Sequence, residues 1–176
     1  MKKMGMLGLI ILGLAGAAPA ADDEFTASYE FGKSIKVTLA EKSFDSRQAK
    51  VETCQGGVGV CRINGVIPFG VASGMPKTFL AKVTLDAAGK TYNLDAGGMY
   101  NAWGKKPNDG QGTAQYLSAH CFDSHNCIVR GLFSETAGAY VAEWAIVDGH
   151  ASRTMLTGSR DVVELFRKHI APPLFE

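Results

Sequence analysis

Four cysteines and four histidines carry most of the reactive chemistry in this 176-residue chain. His120, Cys121, His125 and Cys127 crowd together, and imidazole and thiolate are the donors a tetrahedral zinc site uses. Their spacing argues against zinc. Neighbours such as His120 and Cys121 point to opposite faces of an extended strand, so they do not converge on one ion. A cysteine–histidine hydrolase is the second candidate chemistry, with Cys54 or Cys121 as nucleophile and His120, His125 or His150 as base. It needs a free, activated thiol, a base within reach and a third group that orients the base. Neither Cys54-Gln55 nor Cys121-Phe122 opens a recognisable helix, however. Gly70-Val-Ala-Ser73-Gly74 resembles a nucleophile elbow only loosely, because its serine stands one position too late. Cys54-Gln-Gly-Gly-Val-Gly-Val-Cys61 is rich in glycine but lacks the preceding strand and following helix of a phosphate cradle. His150 reads as a turn residue and His169 as a cation closing a helix. The expectation is a chain without catalytic residues, metal or cofactor.

The compartment decides what the cysteines do. Lys2 and Lys3 form a positive start, Leu7 to Leu14 is apolar, and Ala18-Pro19-Ala20 has the small-x-small form of a cleavage site. The apolar run is too short to cross a hydrocarbon core of about 30 Å as a helix. Residues 1–20 therefore read as a signal peptide and 21–176 as a single exported domain, destined for the periplasm. Cleavage removes two lysines and no acid, which takes the formal charge from +1 to −1. A near-neutral chain offers no electrostatic case for nucleic acid or for an anionic membrane. In an oxidising compartment Cys54, Cys61, Cys121 and Cys127 pair as two disulfides, and sequence leaves three connectivities open. Chain entropy gives roughly 2.5 kcal/mol for closing Cys54–Cys61 and roughly 4 for a long Cys54–Cys127 bridge. Short loops close more often during folding, so Cys54–Cys61 and Cys121–Cys127 are the expected pairs.

The elements that hold these residues are mostly hairpins. Phe25, Ala27, Tyr29 and Phe31 alternate with polar residues, as do Ile35, Val37 and Leu39, and Gly32-Lys33 between them suits a two-residue type II′ turn. Ala40 to Lys50 is polar around the lone apolar Phe44 and reads as a loop or an edge strand. Phe79, Ala81, Val83 and Leu85 alternate before Asp86-Ala-Ala-Gly89, and Thr91 to Leu94 returns. Gln115 to His120 predicts a short strand. Ile128 to Phe133, Tyr140 to Val147 and Ser152 to Thr157 then form a meander, its last turn carried by Asp148-Gly149. Tyr140 and Trp144 share one face, which the spacing assigns to the core. Val162, Val163, Phe166 and Ile170 fall on one side of a helix that Ser159 would cap and Pro172-Pro173 would stop. The class is α+β: an antiparallel, hairpin- and meander-rich sheet packed against a C-terminal helix, with a second short helix expected near Gly98–Trp103.

One stretch has no apolar periodicity. Gly104-Lys-Lys-Pro-Asn-Asp-Gly-Gln-Gly112 follows Tyr100-Asn-Ala-Trp103, and loops this long inside compact domains are usually either functional or disordered. Tyr100, Trp103 and Tyr116 offer large contact area at small entropic cost, while Asn101, Asn108, Asp109 and Gln111 supply adaptable hydrogen bonds. Lys105 and Lys106 suit an acidic surface. These residues form the candidate partner-binding site, and the partner is expected to be another protein, a secreted or periplasmic hydrolase or toxin. Small exported, disulfide-bonded α+β proteins without a catalytic set are similar in type to periplasmic immunity proteins and to inhibitors of lysozyme-like enzymes. The likeness implies a non-enzymatic protein that occludes the active site of a cell-wall-degrading enzyme. An envelope hydrolase with a Cys/His site and a carrier of a small ligand are the alternatives. Intact-mass measurement on protein exported to the periplasm should give a chain beginning at Ala21. A full-length chain held in the membrane fraction would refute the signal-peptide reading.

Overall fold

The computed structural model describes residues 24–72, 74–102, 116–134 and 138–171. β1 (Glu24–Phe31), β2 (Ile35–Ser43), β5 (Thr78–Ala87) and β6 (Lys90–Leu94) form one antiparallel sheet in the order β1-β2-β5-β6. β7 (Leu117–Cys121), β8 (Cys127–Phe133), β9 (Tyr140–Val147) and β10 (His150–Thr157) form a second, ordered β10-β9-β8-β7. Between β2 and β5 in sequence, β3 (Val51–Thr53) and β4 (Val60–Ile63) make a small ribbon. The chain is α+β, as its patterning predicts, with its strands divided between two sheets whose inner faces meet. Val37, Leu39, Leu80, Val83 and Leu85 of the first sheet share one cluster with Val129, Phe133, Tyr140, Trp144 and Ile146 of the second. Phe133 stacks on Tyr140 at 5.2 Å between ring centres and meets Trp144 edge-on at 6.3 Å. Both rings of the predicted Tyr140–Trp144 face are wholly buried.

The helix α1 (Arg160–Lys168) covers the outer face of the second sheet. Val163 and Phe166 are buried there against Leu132 and Val141, with Val162 and Ile170 at the margin. The Arg130 guanidinium lies 5.2 Å from the centre of the Phe166 ring and pairs with Glu143 at 2.7 Å, so a charged pair edges the apolar contact. Ser159 occupies the N-cap position, but its side chain does not cap; its carbonyl accepts from Val163 N–H at 2.9 Å. Pro172 and Pro173 lie outside the described residues.

Turn chemistry follows the sequence in two hairpins and departs from it in one. Asp148-Gly149 and Ala88-Gly89 both have positive φ at their two central residues, the type I′ geometry that matches strand twist. Phe31, by contrast, pairs with Ile35, so Gly32–Ser34 is a three-residue loop rather than the two-residue type II′ turn. Ala40 to Ser43 continues β2, a central strand, instead of forming a loop or an edge. Residues 98–102 are turn and isolated bridges, not the expected short helix. The alternation read through Phe79 and Ala81 breaks at a bulge. Ala40 pairs with Lys82 and Glu41 with Leu80, which leaves Ala81 as the extra residue. Leu80 therefore turns inward, 3 % exposed, and Phe79 turns to the outer face.

The docking of α1 rests largely on one ring. Phe166 is 2 % exposed, so Phe166→Ala should leave a cavity and cost about 3–5 kcal/mol in a denaturant melt. A loss below about 1 kcal/mol would mean that the helix does not pack in solution as described.

Candidate functional site

The disulfides settle the fate of the thiols. Cys54 bridges Cys61 and Cys121 bridges Cys127, the pairs expected from loop closure, and no cysteine is free. That removes the thiolate a Cys–His hydrolase or a zinc site would use. Cys54–Cys61 closes a turn in which Gly56, Gly57 and Gly59 take positive φ, and Val58 stands 82 % exposed at its tip.

The 121–127 turn is held by its own side chains. The Asp123 carboxylate accepts from His125 N–H at 2.7 Å and from Asn126 N–H at 2.8 Å, and these contacts, the His125 amide first, hold its pKa below the usual carboxylate range. His125 Nδ1 lies 2.8 Å from Ser124 Oγ, and Nε2 lies 3.1 Å from Lys90 Nζ. His120 packs edge-on against Phe122 at 4.9 Å. Among the described residues no three potential metal ligands converge.

At the other end of the sandwich, the two roots of the 103–115 segment are fastened to the core. Trp103, Lys105, Lys106, Asn108, Asp109 and Gln111 lie outside the described residues. Tyr100, Asn101 and Tyr116 are within them and serve the fold. Tyr100 is 9 % exposed and pairs across from Phe79 on the outer face of the first sheet; burial raises its phenol pKa. Asn101 takes φ +44°, accepts from Lys77 N–H at 2.9 Å and Thr78 N–H at 3.2 Å, and donates to Gly70 C=O at 2.9 Å. Its side chain replaces a strand of backbone pairing. Half-buried Tyr116 packs against the α1 cluster, and its carbonyl accepts from Leu132 N–H at 2.8 Å.

Polar groups gather beneath these roots. Glu41, which follows Val37 and Leu39 on the inward face of β2, is 6 % exposed and accepts from Thr78 Oγ1 and, at 3.1 Å, from Ala102 N–H. Ser134 N–H donates to Ala102 C=O at 2.6 Å. The Tyr140 hydroxyl is fully buried and finds no hydrogen-bond partner among the described residues. Burial first, then the Glu41 charge, pushes its pKa well above the ordinary value, so it stays a neutral phenol. Gly70 closes the arrangement: a Cβ there would sit 1.9 Å from Tyr100 O and 2.8 Å from the Tyr140 ring. Ser73, of the loose elbow motif, lies outside the described residues.

Sequence reading missed the groove that opens beside Tyr100. Phe44, taken as a lone apolar anchor, meets Tyr100 edge-on at 5.6 Å. With Phe79 these rings floor a groove of about 520 Å³ rimmed by Lys42, Arg47, Gln48 and Asn64. Asp45 orders the rim. It caps the short 3-10 turn Ser46–Gln48, accepting from Arg47 N–H at 3.0 Å, Arg47 Nε at 2.9 Å and Gln48 Nε2 at 3.2 Å. The only signal in the sequence was an aromatic residue followed at once by Asp, Ser and Arg.

No family model, no curated protein and no solved structure matches the chain.

The Arg47 side chain, then its amide, lowers the Asp45 pKa to about 2. A carboxylate with a lowered pKa keeps its contacts above the ordinary range and loses them as pH falls through the lowered value. NMR titration should place the Asp45 midpoint near 2 rather than 3.8, and Arg47→Ala should move it upward. A midpoint near 3.8 in the unaltered protein would show that the rim is not ordered this way in solution.

Proposed function

We propose that this chain is an exported, non-enzymatic protein of the periplasm that binds another protein. The reading is an immunity protein or inhibitor that occludes the active site of a cell-wall-degrading toxin or hydrolase. One observation carries it: both roots of the aromatic-bearing 103–115 segment are clamped to the two sheets. Asn101, Ala102 and Glu41 hold one root to the first sheet, and Tyr116 holds the other to β8 of the second. Recognition segments fixed at both ends to a rigid scaffold are how sandwich folds present contact residues. Disulfides suit an oxidising compartment, and they leave no thiolate for the rival Cys/His hydrolase.

The test captures partners from an envelope extract on the immobilised protein and assays any cell-wall hydrolase so caught, with lytic activity and binding as readouts. The expected result is stoichiometric inhibition. Trp103→Ala should weaken binding by about 2 kcal/mol or more while the thermal midpoint barely moves, because a few central aromatics dominate an interface. Lys105→Glu should mainly slow association, and less so at high salt. Unchanged affinity in a folded Trp103→Ala protein would place the contact elsewhere, with the 121–127 turn and its tip residue His125 next in line. A fall in melting temperature of many degrees would make Trp103 a core residue instead.

A further inference from the structure

The groove beside Tyr100 does not end there. A second groove of about 410 Å³ runs along β5 and β6, lined by Lys82, Asn93 and the 96–100 segment, and it shares Phe79 and Tyr100 with the first. The two meet at this cross-strand aromatic pair on the outer face of the first sheet. Each is of the size that holds a small ligand, and together they suit a linear one. Three features narrow its chemistry. Phe44, Phe79 and Tyr100 give an aromatic floor, and an aromatic face carries the negative side of its quadrupole toward whatever lies on it. Such a face favours the polarised C–H groups of a sugar ring. Around that floor stand flat hydrogen-bonding groups: the Arg47 guanidinium, held in place by the Asp45 carboxylate, and the amides of Gln48, Asn64 and Asn93. Pairs of donors or acceptors at fixed spacing match the vicinal hydroxyls of a pyranose. Finally, the charged residues of the combined lining are Lys42, Arg47 and Lys82 against Asp45 alone, and Asp45 is bound by Arg47.

We propose that this double groove binds a linear oligosaccharide that carries carboxylate groups. Single-stranded nucleic acid shares the aromatic requirement but needs a strongly cationic track, and a chain of formal charge +1 before cleavage offers none. The groove shares Tyr100 with the root of the proposed partner-binding segment but draws its other lining residues from elsewhere, and the inference goes beyond that reading. It would hold the protein on an acidic glycan of the compartment to which it is exported, whatever protein it also binds.

The experiment is an amide NMR titration of the mature protein with a hexameric uronic acid oligosaccharide, a neutral glucose hexamer and an acidic peptide of similar length. The expected result is saturable shifts at Phe44, Arg47, Phe79, Lys82 and Asn93 with the uronate. The neutral sugar should bind about threefold or more weaker at low salt, and the difference should shrink as salt screens the cations. Phe79→Ala should weaken uronate binding about tenfold or more. Arg47→Ala and Lys82→Ala, both at exposed positions, should each weaken it about threefold and keep the test open if Phe79→Ala does not fold. Absence of saturable shifts at about 10 mM uronate, where even weak sites register, overturns the proposal. Equal or tighter binding of the peptide at the same residues also overturns it, in favour of a protein ligand. No partner protein enters the measurement, so its failure leaves the proposed inhibitor function standing.

Discussion

Trp144 sets the arrangement of the whole sandwich. Its indole is wholly buried between the sheets, and a buried N–H must have an acceptor. It donates to Asp95 C=O at 2.8 Å, which draws the end of β6 over the second sheet. Arg153 then fastens the same stretch, pairing with the Asp95 carboxylate at 2.9 Å and donating to Gly97 C=O at 2.6 Å. The chain leaves this anchor as Met99–Ala102, hydrogen-bonds to β5 through Met99, and places Tyr100 opposite Phe79. Groove floor and loop root are thus both fixed by the demand of one indole.

Much of the fold was legible because hydrophobic alternation reports which strand face is buried, and it held for β1, the first half of β2 and β9. Asp148-Gly149 was legible because few residue pairs accept two positive φ values in succession. The bulge at Ala81 was not. Alternation assumes an unbroken ladder, and Phe79 and Ala81 look like core partners of Val83 until an extra residue is absorbed between Leu80 and Lys82. The division into two sheets was hidden too, since it depends on which edges meet rather than on any local pattern. The site was legible only in part. The unpatterned 104–112 stretch stood out from the sequence. The groove draws Phe44, Asn64, Phe79 and Tyr100 from distant segments that only folding brings together.

The two disulfides act locally. They span separations of 7 and 6 residues, so each limits the unfolded chain over a short loop and leaves the sheet–sheet core to supply most of the cohesion. Their chemical effect is larger than their mechanical one. Two pairs of groups that could have held metal or formed a nucleophile become inert braces. The histidines around them are left to ordinary polar duties, as in the Ser124–His125–Lys90 chain.

The surplus residue in β5 has a meaning for how such a chain can vary. Side chains on a strand alternate strictly, so most one-residue changes of length would turn a groove ring into the core and a core residue out to solvent. At Ala81 the count is already off by one. A descendant lacking that alanine would regain a regular ladder, with Leu80 still inward and Phe79 still facing Tyr100. The bulge is a place where evolution can shorten the chain without rewriting either side of the sheet.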